Sequence, residues 1–136
     1  MTTTDNRDLL FTHATLATMR GGDFGLMEHA ALAVKDGKIA WLGPMAELRG
    51  AAKETQDCQG GLITPGLIDC HVHFGFGEKI TEYTTETVYA AQGGMTTILA
   101  YFLNNEAYDD VFKREMDYAL ARCHVDFAFH FSPCNE

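Results

Sequence analysis

The chain lacks the marks of several protein classes. Only four cysteines occur in 136 residues, and Cys58, Cys70, Cys123 and Cys134 form no C-x-x-C pair, which argues against a disulfide framework and for buried free thiols. Basic residues are also scarce. Ten Lys and Arg against nineteen Asp and Glu leave a formal net charge of −9, and nowhere do three basic residues stand in a row. That excludes nucleic acid or an anionic membrane surface as the main partner. Apolar runs are only a few residues long, far below the ~18 to 20 that span a bilayer. The opening MTTTDNRDLL has no basic segment followed by an apolar one, as a secretory leader would, so a cytoplasmic location is expected. What is present suffices for a core: 46% of residues are hydrophobic and 21% charged, the balance of a folded chain of single-domain size.

The first forty residues read as short strands. Ala31 to Lys35 and Lys38 to Leu42 are β-compatible and flank Asp36-Gly37, a dipeptide that supplies the positive φ angles of a tight hairpin turn. A short helical or turn segment is expected from Met45 to Ala52. The polar stretch Lys53 to Gly61 ends in Gly60-Gly61, which punctuates the chain before the next apolar run. A boundary near Pro65 divides an N-terminal region, 1–64, from a second region, 65–136.

Beyond Pro65 strand and helix alternate. Gly66 to Phe74 reads as a strand, Glu82 to Gln92 as a helix closed by Gly93-Gly94, and Thr96 to Phe102 as a second strand. Asp110 to Arg122 follows as a helix, with Phe112, Met116, Ala119, Leu120 and Cys123 forming one apolar stripe. Val125 to Phe131 is a third strand. Near-continuous apolar strands in a βαβαβ order imply a parallel sheet buried on both faces, an α/β fold.

Chemistry concentrates at His71 and His73. Strand side chains alternate, so both imidazoles should face one way and Val72 the other, allowing the pair to share a metal. Asp69, two residues earlier, is expected on the same face as a hydrogen-bond partner for a ligand imidazole. Cys70, by the same alternation, should turn away and pack against a helix. A bare H-x-H arises often by chance, but the carboxyl end of a parallel strand is where α/β folds place ligands and catalysis.

With these residues in view, the run Leu62 to His73, which combines Pro-Gly, an apolar strand, Asp69 and H-x-H, resembles the metal-binding signature of the amidohydrolase superfamily. The segments Leu16 to Met19, Phe24 to Leu26, Ala31 to Pro44 and Thr64 to His71 look most like imidazolonepropionase, the histidine-degradation enzyme. Gly93 to Ile98 and Val125 to His130 look more like the hydantoinase and dihydropyrimidinase branch. Imidazolonepropionases place an arginine shortly after the H-x-H to hold a substrate carboxylate, whereas residues 74–80 are Phe-Gly-Phe-Gly-Glu-Lys-Ile. Dihydroorotases use H-x-H-x-R for a similar purpose, and position 75 is Gly75. Without that bidentate clamp, and with Gly75 to Gly77 closer to hydantoinases, the barrel half outweighs the N-terminal half and a hydantoinase-like activity leads, with imidazolonepropionase as the alternative.

The resemblance implies a (β/α)8 barrel beside a small β-sandwich, of which this chain would hold part of the sandwich and the first three barrel strands. It also implies a divalent metal, zinc or iron, on His71 and His73, and hydrolysis of a small cyclic amide by a metal-activated water. The other family ligands, a lysine, two histidines and an aspartate, follow later strands. A closed barrel needs eight strands and about 250 residues, so the chain is expected to be the N-terminal part of a longer enzyme, homo-oligomeric at full length, or a truncated or chimeric product. A non-catalytic interaction protein and a structural zinc site using Cys58, Cys70 and the histidines are the competing readings. His130 lies near the end of the third strand, where a histidine satisfied by backbone is the commoner case. His13 and His124 read as surface or core-edge residues. Asn104 to Glu106 reads as an ordinary polar loop, and Phe127, Phe129 and Phe131 as core.

Overall fold

The computed structural model describes residues 7–75, 79–104 and 108–133. Its contacts divide into two compact units, Met1–Pro65 and Gly66–Glu136, each described by itself.

In the first unit, β1 (Arg7–Ala17), β2 (Leu26–Lys35) and β3 (Lys38–Pro44) form an antiparallel meander. Asp36 and Gly37 turn β2 into β3 with φ of 50° and 70°, the mirror-image turn geometry that matches strand twist. Met45–Glu47 is a single 3-10 turn. The polar stretch, to which the sequence pattern assigns no element, contains most of β4 (Ala52–Asp57), paired parallel to β1, and β5 (Leu62–Ile63) lies along the same strand farther on. β4, with sequence AKETQD, is largely exposed on both faces, so alternation carries no apolar signal. Backbone pairing to β1 alone defines it.

Both faces of this sheet bury apolar groups. Leu10, Ala31 and Ala33 pack with Trp41 on one side, and Ala14, Leu16 and Ala30 pack with Leu42 and Ile63 on the other. Leu10 and Ala14 are four residues apart and would share a face in a regular strand. The register slips between Phe11 and Ala14, and His13 there has a φ of 50°. This bulge passes the buried side of β1 from one face to the other.

In the second unit, β6 (Leu67–Val72), β7 (Met95–Asn104) and β8 (Asp126–Pro133) form a parallel sheet in that order, connected through α1 (Lys79–Gln92) and α2 (Tyr108–Arg122). Gly94, at a φ of 85°, ends α1 in the left-handed conformation that costs glycine least, and its carbonyl accepts the Leu67 N–H at 3.0 Å. Ile98, Ala100 and Phe102 of β7 pair with Phe127, Phe129 and Phe131 of β8, and these side chains pack with Phe74, Tyr83 and Ala119 as one core. The three phenylalanines of β8 are core, as alternation implies.

The stripe expected on α2 is displaced. Phe112 and Leu120 are 50% and 71% exposed, while Val111, Glu115 and Ala119 are buried. The buried face runs through a carboxylate, which an apolar pattern search passes over. Glu115 accepts a short hydrogen bond from the Tyr83 hydroxyl and meets Lys79 Nζ at 2.5 Å and Arg114 Nε at 3.4 Å, so its burial is compensated. Among the described residues no helix is long and apolar enough to cross a membrane.

Candidate metal centre

Val72 of β6 stands opposite Ala100, a core residue on the helix-facing side, so the imidazoles on either side of it are turned to the other face. His71 Nε2 and His73 Nε2 are 3.0 Å apart, and both residues are exposed. Two nitrogens bound to zinc at about 2.05 Å with a tetrahedral angle stand roughly 3.3 Å apart. A separation of 3.0 Å therefore needs an opening of only about 0.3 Å, within the reach of small χ changes. The donor set fits a divalent metal that also accepts ligands from elsewhere.

The His73 tautomer fits as well, while His71 Nε2 is left as the donor in the contact between the two rings, a proton that a bound metal would displace. His73 Nδ1 lies 3.1 Å from the Tyr101 carbonyl, an acceptor only, so Nδ1 carries the proton and Nε2 keeps its lone pair. Ligating imidazoles are commonly oriented in this way. Among the described residues no group of three or more His, Cys, Asp or Glu converges. His71 and His73 are the two donors that stand together.

Asp69 and Cys70 depart from simple alternation. Asp69 pairs with Ile98 and Val72 with Ala100, so three steps along β6 match two along β7. The extra residue places Asp69 on the helix side, lining a cleft of about 340 Å³ with Phe74, Tyr89 and Ile98. Its Oδ1 accepts the backbone N–H of His71 at 3.1 Å, so it holds the chain that carries the imidazole. Cys70, expected against a helix, is exposed, because the same bulge takes it out of the packed register.

Beyond His73, the Gly75 N–H donates to the Glu82 carboxylate, anchoring the start of the connection to α1. Tyr101 was not singled out by sequence reasoning, yet its ring stacks on His71 with centroids 4.8 Å apart. The available signal was register: Tyr101 interrupts the Ile98, Ala100, Phe102 core series one residue before its end. Opposite it on β8 stands His130, which is exposed with its ring 5.8 Å from that of Tyr101. Since the strands are parallel, His71, His73, Tyr101 and His130 gather at the carboxyl end of the sheet, where barrel enzymes carry their chemistry.

The remaining candidates have other partners. His13 pairs with Asp57 at 3.1 Å on an exposed strand, and the backbone N–H of His124 donates to Thr87 Oγ1 at 3.1 Å. Phe76, Gly77, Asn105, Glu106 and Cys134 lie outside the described residues, as does the side chain of Asn104.

With this geometry in view, residues 60–131 match the sequence model of the dihydro-orotase-like proteins, over more than half of the chain. The chain belongs to this family. It is a member of the amidohydrolase superfamily with an imidazolonepropionase-like N-terminal region. Imidazolonepropionase of Maricaulis maris is 51% identical over 79 residues, covering 56% of this chain and 20% of that protein. Imidazolonepropionase of Brucella suis is 42% identical over 106 residues, covering 69% of this chain and 26% of that one. The chain thus spans about a fifth to a quarter of the length of these curated relatives. Among solved structures, a prolidase from Bifidobacterium longum superposes with a TM-score of 0.60 at 24% identity, covering 89% of this chain and 29% of that one. A D-aminoacylase mutant in complex with CuCl2 superposes at 0.62 and 17% identity, covering 93% and 30%. These two likenesses bear on the fold alone.

Proposed function

We propose that the chain contributes the first two metal ligands, His71 and His73, to a hydrolase that opens a carbon–nitrogen bond of a small cyclic amide, with an imidazolone as the leading substrate class. The observation that carries this reading is the pair of Nε2 atoms 3.0 Å apart at the carboxyl end of a parallel strand, in a chain whose N-terminal region is 51% identical to an imidazolonepropionase. When bound, a divalent metal supplies Lewis acidity, polarising the amide carbonyl and lowering the pKa of a coordinated water to about 7. The chain's own residues prepare for that. Asp69 holds the backbone at His71, and the Tyr101 carbonyl keeps the His73 Nε2 lone pair available. Zinc is the first candidate, because two imidazoles suit it and its lack of geometric preference tolerates a site completed from other strands.

A hydantoinase-like substrate is the second reading, and a specific observation favours it. Residues 74–80 contain no arginine, and Lys79, the cation in that segment, is paired with Glu115 at 2.5 Å. A substrate carboxylate therefore finds no clamp there, whereas a hydantoin or dihydrouracil ring needs none.

The two readings separate in one assay on the intact gene product loaded with Zn²⁺. Hydrolysis of imidazolone propionate in preference to hydantoin and dihydrouracil, abolished by His71→Ala, supports the first. The reverse preference supports the second. Turnover of none of the three by metal-loaded protein would remove both and leave a non-catalytic interaction protein.

A further inference from the structure

Tyr101 touches both histidines. Its ring lies 4.8 Å from that of His71 with planes 23° from parallel, and 5.8 Å from that of His73 at 71°. Its carbonyl accepts a hydrogen bond from His73 Nδ1–H at 3.1 Å, and its hydroxyl accepts a hydrogen bond from Ser132 Oγ on β8. One residue of β7 thus contacts both rings of the pair at the end of β6 while being tethered to the third strand.

We propose that Tyr101 is a positioning residue that holds the two imidazoles with their Nε2 atoms converging. This rests on reading the pair as a metal half-site. An exposed histidine at a strand end samples several χ1 and χ2 states, and a ligand that needs one of them is weakened by the ordering this requires. Flat contact with the Tyr101 ring favours the stacked setting of His71 about χ2, because turning the imidazole away gives up that face-to-face contact. His73 is held differently, through the backbone carbonyl, which survives any substitution at position 101. Ring and backbone contributions are therefore separable. Removing the ring should free His71 alone, and removing only the hydroxyl should release the tether to Ser132 and leave the stack.

The test uses the intact chain with isotopically labelled histidine, in Tyr101→Leu, which keeps strand-compatible bulk without a planar ring, and in Tyr101→Phe. In metal-free NMR spectra, the His71 ring protons of the wild type should lie upfield from the Tyr101 ring current. That shift should vanish in Tyr101→Leu and persist in Tyr101→Phe, with the His73 Nδ1–H tautomer kept in both. In calorimetric titration with Zn²⁺, Tyr101→Leu should weaken binding about tenfold, the low end for residues that orient metal ligands, and Tyr101→Phe less than twofold. His71 ring signals that ignore Tyr101→Leu, or a Tyr101→Phe variant that behaves like Tyr101→Leu, would overturn the proposal. His71→Ala separates the two levels. If it leaves Zn²⁺ binding unchanged, the metal reading fails, while the metal-free spectra still decide whether Tyr101 orders the pair.

Discussion

Replacing Glu115 should do more damage than any surface substitution. Its carboxylate is fully buried between α1 and α2. It accepts the hydrogen bond of Tyr83, itself 0% exposed, and carries an ion pair to Lys79 at 2.5 Å, where the lysine side chain keeps 33% of its exposure. Glu115→Ala leaves the Tyr83 hydroxyl without its acceptor, which costs about 1–3 kcal/mol. It also strands a partly buried ammonium and opens a small cavity. Breaking a buried pair by removing one partner typically costs about 3–5 kcal/mol, and the third of Lys79 left in water argues for the lower end, about 3 kcal/mol. Glu115→Gln keeps an acceptor for Tyr83 and should cost about half of that. Both long helices lie in the second unit, so urea unfolding followed by ellipticity at the helix band reads the effect directly. The single tryptophan, Trp41, reports on the first unit. With a urea m-value near 1 kcal/mol per molar for a unit this small, the Glu115→Ala midpoint should fall by about 3 M. A midpoint within about 0.3 M of wild type would show that the network contributes little and refute the reasoning.

Three further outcomes follow from the same packing. Burial, then the hydrogen bond to Glu115 and its charge, push the Tyr83 phenol well above its ordinary 10.0; a raised pKa contributes stability below pH 10 that is lost as the pH climbs past it, so the wild type should weaken above pH 10 and Tyr83→Phe should lose that component of the slope. Burial holds the Cys123 thiol up at about 11, while Cys70 is exposed; peptide mapping after iodoacetamide at pH 8 should find Cys70 labelled well before Cys123, and equal rates would contradict the burial. A Cβ added at Gly66 would lie 2.1 Å from the Thr96 side chain and 2.6 Å from its Cβ, so Gly66→Ala should destabilise by about 1–3 kcal/mol in the same urea assay, with substantial recovery in Gly66→Ala combined with Thr96→Gly.

The parallel βαβαβ order was legible because its strands are runs of β-branched and aromatic residues and its helices end in glycine pairs or charged turns. The Asp36-Gly37 hairpin was legible for the same kind of reason, since few dipeptides tolerate two positive φ angles in succession. Bulges were not. Neither the slip at His13 nor the one between Asp69 and Val72 leaves a mark in a pattern of period two, because each is a backbone event between residues of ordinary type. Yet the second bulge decides which side Asp69 serves and exposes Cys70. β4 was missed because its polar side chains give no amphipathic alternation, and the buried face of α2 because a paired glutamate sits at its centre. That His71 and His73 face one way was readable from their spacing. Tyr101 was not, since its role depends on where a neighbouring strand sets its register.

The central claim is that His71 and His73 hold a metal. Its most direct test is elemental analysis of the intact protein, purified without chelator and re-equilibrated with limiting Zn²⁺, beside the double variant His71→Ala, His73→Ala. The account predicts close to one or two bound metals per chain in the wild type and a loss of at least one in the variant, with both proteins equally folded by circular dichroism. Equal metal content in the two proteins, or none in either, would contradict it.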